Sequence, residues 1–364
     1  MKVIICGDGV IGTSIAYFLN QRGVEVVVVE RTGVANAASG KSGGFLARDW
    51  CDGSPLAPLA RRSYDLHGSL ANSLEQDWGY RQVETLRIIA SVTSDVGPYR
   101  NLPSLAWLGE DAAVYSQLGS PETTAQINPA AFTNAMMDVA IGGGAKLVAG
   151  CVNGVVLSSD GDRVNGVMID GAMLSGDAVV IAMGPWSVLA CQWLPLPPTG
   201  GAKGHSLVFD YTPSPESLFV ELENGDREMT TPEINPRPNG TTYACGLPGD
   251  DPLPVDPAHV IPEPGASQKL RQMAACISPG LAASPVLAEQ SCYRPVTSDG
   301  LPLIRPVPGV IGAYVATGHN VWGMLNAPAT GEAIAELIVG GAAATVDLDP
   351  FNPARLAPLK GGAV

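Results

Sequence analysis

The apolar positions change period twice within the first thirty residues. Val3 to Cys6 run apolar without a break, Ile11, Ile15, Phe18 and Leu19 then recur at the spacing of one helix face, and "VEVVVVE" follows Gly23. This pattern predicts strand, helix and strand, a βαβ opening with Gly23 as the helix stop. Pro129 can start a second helix over 129–142, "PAAFTNAMMDVAIGGG", which its glycines end. The segments "CVNGVVLSS", "RVNGVMIDG", "AMLSG" and "AVVIAMG", separated by turns such as "SDGD", predict an antiparallel meander.

From about residue 200 to 292 the strands "HSLVFDY", "SLFVEL" and "TTYACG" stand apart. A Pro/Gly-rich connection, "LPGDDPLPVDPAHVIPEPG", separates the last of them from a helix around Leu270 to Ile277. That predicts a separate sheet with a long surface loop. After "CYRPVTSDGLPLI" come the strand "IGAYVATG", a turn holding Gly318 and Gly323, and a helix whose Met324, Leu325, Ala329, Ile334 and Leu337 face a core.

With 364 residues, 46% hydrophobic and 15% charged, the chain reads as folded, either in two domains or in one large discontinuous one. A formal net charge of -14 without a dense Lys/Arg run opposes nucleic-acid binding and favours a small-molecule partner. The seven cysteines are scattered, with no CxxC pair and no histidine at ligand spacing, so neither zinc nor a disulfide framework is indicated. A first strand at Lys2 leaves no room for a presequence, and no apolar run reaches membrane-spanning length. The expectation is a soluble, cytoplasmic protein with no membrane span, a presequence already removed being the alternative.

In Gly7-x-Gly9-x-x-Gly12 the first glycine permits a tight turn, the second lets backbone approach a pyrophosphate, and the third lets helix pack on strand. Asp8, Val10 and Ile11 fill the intervals. Glu30, followed by Arg31, ends the next strand, where a carboxylate accepts from both ribose hydroxyls and repels a 2′-phosphate. An NAD enzyme would complete two βαβαβ halves. Here a loop of small residues follows instead, Ser39, Gly40, Lys41, Ser42, Gly43 and Gly44, able to let backbone reach the ribityl and ring end of a flavin. FAD is therefore expected.

Together "GDGVIGTSIAYFLNQRG…VVVVER", "SGKSGG", "VVIAMGPWS", "RPVTSDGLPLI" and "GHNVWGMLNAPATGEAIAELI" resemble the D-amino-acid oxidase family of FAD proteins, in its glycine oxidase and sarcosine oxidase branch. The resemblance implies a mixed α/β (α+β) fold. In it a discontinuous Rossmann domain of the glutathione-reductase type (1–75, 145–200 and 293–364) binds FAD, and a substrate domain (76–144 and 201–292) roofs the flavin with a mixed sheet. It also implies oxidation of an amine or amino acid: hydride passes from the carbon next to nitrogen to flavin N5, the imine hydrolyses, and oxygen or another acceptor takes the electrons.

Residue by residue, the resemblance sets Arg294 on a substrate carboxylate, the alternative being a brace to Asp299. It brings Val152, Met183, Gly184 and Trp186 to the cofactor, Met183 standing where threonine is common. It lays Gly318, His319, Asn320, Val321, Trp322, Gly323 and Met324 along the N1 and C2 carbonyl edge of the ring, backbone N–H groups and helix dipole meeting charge that develops on reduction. Lys203 and His205 lie on a strand entering the substrate domain, Lys203 being a candidate charge for oxygen reduction. Tyr243, Phe45 and Trp322 are candidate pocket walls. Relatives carry a further arginine in the turn occupied here by Asn320, Val321 and Trp322, so a second carboxylate contact is not expected, which suits a larger or less polar substrate. Cys292 matches the position of covalent flavin attachment in the sarcosine oxidase branch, although non-covalent FAD is the expectation. Two further readings are an FAD-binding protein with a structural or regulatory role and an enzyme acting on a tRNA-borne amine. The acidic surface opposes the latter.

Overall fold

A parallel pair opens the chain: Lys2–Cys6 and Glu25–Glu30 run side by side, Ile4 opposite Val27 and Cys6 opposite Val29, with helix α1 (Val10–Asn20) crossing between them. The computed structural model describes residues 1–225 and 228–359. In it this pair belongs to a six-stranded sheet ordered Leu303–Pro306, Ala313–Thr317, Ala178–Ile181, Lys2–Cys6, Glu25–Glu30, Lys146–Ala149. All its neighbours are parallel except the outermost pair at the Leu303–Pro306 edge.

Ala178–Ile181 corrects the sequence reading. Only Val152–Leu157, Val164–Ile169 and Ala172–Ser175 form the antiparallel meander, while "AVVI" leaves it to pair with Lys2–Cys6. All four of its residues are buried, as suits a strand covered on both faces. That uninterrupted apolar run differs from the mixed exposure of the meander strands.

The remaining helices are α2 (Ala38–Lys41), α3 (Ala57–Ser73), α4 (Pro129–Gly142), α5 (Ala266–Ile277), α6 (Pro279–Ala283) and α7 (Gly323–Gly340). On one face of the parallel sheet α1, α3, α4 and α7 share a core containing Ile15, Leu19, Leu59, Phe132, Met136 and Ile334. The opposite face carries the meander, with Val164 and Val167 against Ile4, Val179 and Val315. Burying one such Ile or Phe side chain stabilises the fold by about 1.5–3 kcal/mol. α4 thus packs against α1, although it falls in the 76–144 segment expected in the substrate domain. Its buried face carries Phe132, Met136 and Met137.

The second sheet is ordered Val286–Val296, Gly200–Phe209, Thr242–Gly249, Glu233–Pro236, Ser217–Glu223, Thr85–Ser91, Ala112–Gly119, with Met229–Thr230 added on Ser217–Glu223. Its Ser217–Glu223 and Thr85–Ser91 strands are parallel and the other pairs antiparallel, so it is mixed. α5 and α6 cover one face through Leu270, Met273, Ile277 and Leu281. The Val286–Val296 strand carries Arg294, so the expected boundary at 293 runs through a strand of this sheet.

Candidate active site

A cavity of about 480 Å³ lies between the two sheets, reaching from Gly7 and Glu30 at one end to Tyr243, Glu233 and Arg294 at the other. At the first end Gly7 has φ +104°, and a Cβ there would lie 2.6 Å from the Ala182 carbonyl oxygen. A Cβ on Gly12 would lie 2.0 Å from the Gly7 oxygen. Gly12 does not face the cavity; it permits the close approach of helix to strand. Gly9 is the N-cap of α1, with no side-chain cap and no acid in the first turn, so the helix start fronts the cavity with Gly9, Val10 and Ile11. The Val10 amide donates to Ser39 Oγ at 2.9 Å.

Glu30 accepts from the Asp8 amide (3.3 Å) and from the amide and hydroxyl of Thr32 (2.8 Å each). Burial, then the adjacent Glu30 charge, raises the Asp8 carboxyl to about 8. Asp8 Oδ2 is buried with no partner. Arg31 faces the same end but pairs with Asp256 at 3.0 Å.

The small-residue loop divides its labour. Ser39, Ser42 and Gly43 line the cavity, and Ser42 Oγ is buried without a partner. Gly40 and Gly44 are required by packing instead: a Cβ would lie 2.1 Å from the Ala35 oxygen and 2.0 Å from the Ile127 oxygen, respectively. Lys41 turns away, its Nζ donating to the Ser291 carbonyl. Val152, Met183, Gly184 and Trp186 line the cavity.

At the second glycine turn His319, Asn320, Val321, Gly323 and Met324 line the cavity, whereas Gly318 and Trp322 do not. Gly318 has φ +81° and shapes the turn. Trp322 packs edge-on to Trp50, and Phe45 packs on Trp50 and Phe219, so these two expected walls belong to an aromatic cluster outside the cavity lining. His319 is buried, its Nε2 lies 3.1 Å from Thr330 Oγ1, and desolvation lowers its pKa to about 3, which keeps the ring neutral. No side chain caps α7. Uncapped helix starts at both glycine turns, glycines with no room for a Cβ, and unpaired Ser42 Oγ and His319 Nδ1 together fit a flavin dinucleotide.

The far end is one face of the second sheet. Register sets Glu233 beside Cys245, Cys245 beside Ser206, Gly204 beside Cys292 and Ala202 beside Arg294. Of these, all but Ala202 line the cavity, together with Tyr243. The Arg237 guanidinium stacks 4.9 Å from the Tyr243 ring centre and donates to the Ser42 carbonyl at 2.7 Å, fixing that wall. Asp299 is not the partner of Arg294. It binds Arg355 at 2.6 and 3.1 Å, and that contact holds its carboxyl down at about 2. Among the described residues no side-chain hydrogen bond or ion pair engages the Arg294 guanidinium.

Lys203 departs from expectation. Its Nζ sits 2.6 Å from Asp251 and 3.4 Å from Glu263, and it does not line the cavity. His205 touches the cavity rim with both ring nitrogens engaged: Nδ1–H donates to the Leu247 carbonyl and Nε2 accepts from the Glu263 amide. Both side chains anchor the proline-rich 250–263 connection, which Tyr293, Trp186 and Arg31 also grip through Asp251, Pro254 and Asp256. The loop read from sequence as surface is thus a strap tied from the second sheet to the dinucleotide end.

Glu233, Ser206 and Cys245 escaped the sequence reading. Glu233 begins a four-residue strand, "EINP", bounded by prolines, whose pattern is too short to separate from loop.

Comparison with known proteins defines the class. The family model described as "FAD dependent oxidoreductase" matches residues 2–337, and the chain belongs to that family. A putative oxidoreductase of Schizosaccharomyces pombe is 28% identical, the match covering 97% of each chain. A glycine oxidase of Pseudomonas aeruginosa is 26% identical over 97% of this chain and 98% of its own. The solved glycine oxidase of Geobacillus kaustophilus superimposes with a TM-score of 0.77 at 26% identity, covering 97% of this chain and 98% of that one. The protein is therefore an FAD-dependent oxidoreductase, a Rossmann-type FAD unit joined to a substrate sheet. The expected resemblance to the D-amino-acid oxidase family is borne out. Among the described residues no helix is long and apolar enough to cross a membrane.

Proposed function

We propose that the protein oxidises an amino acid at the carbon next to nitrogen, with Arg294 holding the substrate carboxylate. The observation that carries this reading is an arginine lining the cavity, without a protein ion-pair partner among the described residues, in a space that also reaches the His319–Met324 turn. A guanidinium so left offers a two-pronged donor to a planar carboxylate. Glycine oxidases among the relatives support an amino-acid substrate.

Bound FAD would supply the two-electron acceptor, N5 taking hydride from the α-carbon of the neutral amine. The α1 start and Gly9 would hold its diphosphate, Glu30 its adenosine ribose, and the backbone of His319 to Met324 the ring edge that gains charge on reduction. Tyr243, braced by Arg237, walls the pocket and excludes water, and Arg294 orients the carbon to be oxidised. With Asn320 and Val321, rather than an arginine, lining that turn, a substrate with a larger or less polar side chain is favoured. Non-covalent FAD is favoured: burial, the largest influence on the Cys292 thiol, raises its pKa and disfavours the thiolate that attachment needs.

Anaerobic bleaching of the purified yellow protein by an amine and amino-acid panel tests the reading. Bleaching by an amino acid supports it and opposes a purely structural role; no bleaching by any amino acid contradicts it. Acid precipitation tests the flavin linkage, a colourless pellet being expected. Reoxidation in air against a dye acceptor separates oxidase from dehydrogenase.

A further inference from the structure

The substrate end of the cavity holds two opposite charges that do not meet. Glu233 and Arg294 both line it, and at that end Glu233 is the only carboxylate among the described residues; Asp8 and Glu30 belong to the dinucleotide end. The two are not an ion pair within 4.0 Å. They are nevertheless close enough for the Arg294 charge to act on Glu233 and, beside it, on Cys245. Glu233 stands at the start of its strand, opposite Cys245, and Tyr243 lies two residues before Cys245 on the neighbouring strand. A carboxylate and a guanidinium facing one cavity across a gap compensate each other only in part, which is costly in a desolvated space unless the occupant is itself dipolar. An α-amino acid has that form, with its nitrogen and carboxylate at opposite ends.

Resting on the amino-acid reading above, we propose that Glu233 receives the substrate nitrogen while Arg294 holds the carboxylate, and that Glu233 takes the proton the ammonium must lose. In that step an ammonium N–H bond breaks, an O–H bond forms on a Glu233 carboxyl oxygen, and the electron pair of the broken bond stays on nitrogen as the lone pair of the neutral amine. The nitrogen then has the pair that drives hydride departure, and the proton returns to solvent after product leaves. No further reactant is needed. Burial, the largest influence on Glu233, raises its pKa against the opposing pull of Arg294, the direction that makes a carboxylate a better proton acceptor. The same geometry excludes simple carboxylates as good ligands, because they would leave Glu233 facing the cavity alone.

The test compares wild-type holoenzyme with Glu233→Gln and Glu233→Asp. Calorimetry with propionate and with D- and L-alanine reads binding; anaerobic stopped-flow with glycine, N-methylglycine, alanine and proline reads flavin reduction against pH. For Glu233→Gln we expect propionate to bind more tightly than to wild type, and the reactive amino acid at least tenfold more weakly at pH 7. Its reduction rate should fall at least tenfold at pH 7 and recover as pH approaches the amino group's own pKa. Glu233→Asp should retain part of the wild-type pH profile. A Glu233→Gln protein with wild-type amino-acid affinity and pH profile overturns the assignment while leaving the oxidase reading intact. A wild type that binds propionate yet is bleached by no amino acid overturns both.

Discussion

His67 on α3 donates its Nε2–H to the backbone carbonyl of Met324, at 3.0 Å, in the first turn of α7. Pro328 explains why that carbonyl is available: proline has no N–H, so the oxygen four residues earlier loses its helical donor. The same ring nitrogen lies 3.2 Å from the Leu325 carbonyl, and Ser63 Oγ accepts from the Ala329 amide, which would otherwise serve it. α3 thus supplies partners for the backbone groups that Pro328 leaves without them in a continuous α7, one turn behind the cavity. His67→Ala should lower unfolding free energy by about 2–4 kcal/mol, through a cavity and an unpaired carbonyl. A urea midpoint within error of wild type would contradict this.

The same histidine makes stability depend on pH with a definite sign. Burial lowers its pKa to about 4, whereas an unfolded histidine titrates near 6.5. Between those values the unfolded chain binds a proton that the folded one does not, so this contribution is full above 6.5 and is lost as pH falls toward 4. The slope for one such group is about 1.4 kcal/mol per pH unit. His67→Gln, which can still donate, should show a correspondingly flatter loss of stability over that range in urea titrations. Parallel pH curves for the two proteins would refute the assignment.

Asp8 predicts the opposite slope for cofactor affinity. Its carboxyl, raised to about 8, is neutral at pH 7 and gains charge above 8, next to Glu30 and to the end of the cavity that fits the FAD diphosphate. FAD should therefore bind more weakly as pH rises from 7 to 9, and Asp8→Asn should flatten that dependence. Fluorescence titration of apoprotein with FAD at several pH values decides it. An equal slope in both proteins would rule Asp8 out.

Lys203 separates a strap from a redox role. Its side chain is only 2% exposed, while its partners Asp251 and Glu263 are 56% and 25% exposed. The pair is half-screened, and its loss should cost about 1–2 kcal/mol. Lys203→Met should speed FAD dissociation several-fold and leave the rate of reaction of reduced flavin with oxygen within about twofold, since a group outside the cavity contributes little field there. A large fall in the oxygen rate with unchanged FAD retention would restore the reading of Lys203 as the charge that assists oxygen.

Much of this was legible because it is local. Gly7 to Gly12, Glu30 and the helix after Gly318 are written in contiguous residues whose spacing states its own geometry. What the sequence could not convey is pairing between distant segments. Lys203 and His205 look like pocket groups until Asp251 and Glu263, about fifty residues on, claim them. Glu233 lies in a strand too short to announce itself, and "AVVI" carries no mark of which sheet it joins. His67 needs the proline at 328 to make sense, and nothing in α3 names its partner. Arg294 was read with two partners open, and only the fold shows Arg355 occupying Asp299.

If Arg294 holds a substrate carboxylate over a flavin bound mainly by other residues, substitution separates substrate binding from flavin binding. Anaerobic titration of wild type and Arg294→Met with the reactive amino acid, and with the matching amine that lacks the carboxylate, tests it most directly. We predict that the variant retains FAD, that its apparent KM for the amino acid rises at least a hundredfold, the loss of about 3 kcal/mol expected for a charge-assisted bidentate contact, and that the amine is affected less than threefold. An unchanged KM for the amino acid in yellow Arg294→Met protein would contradict the account.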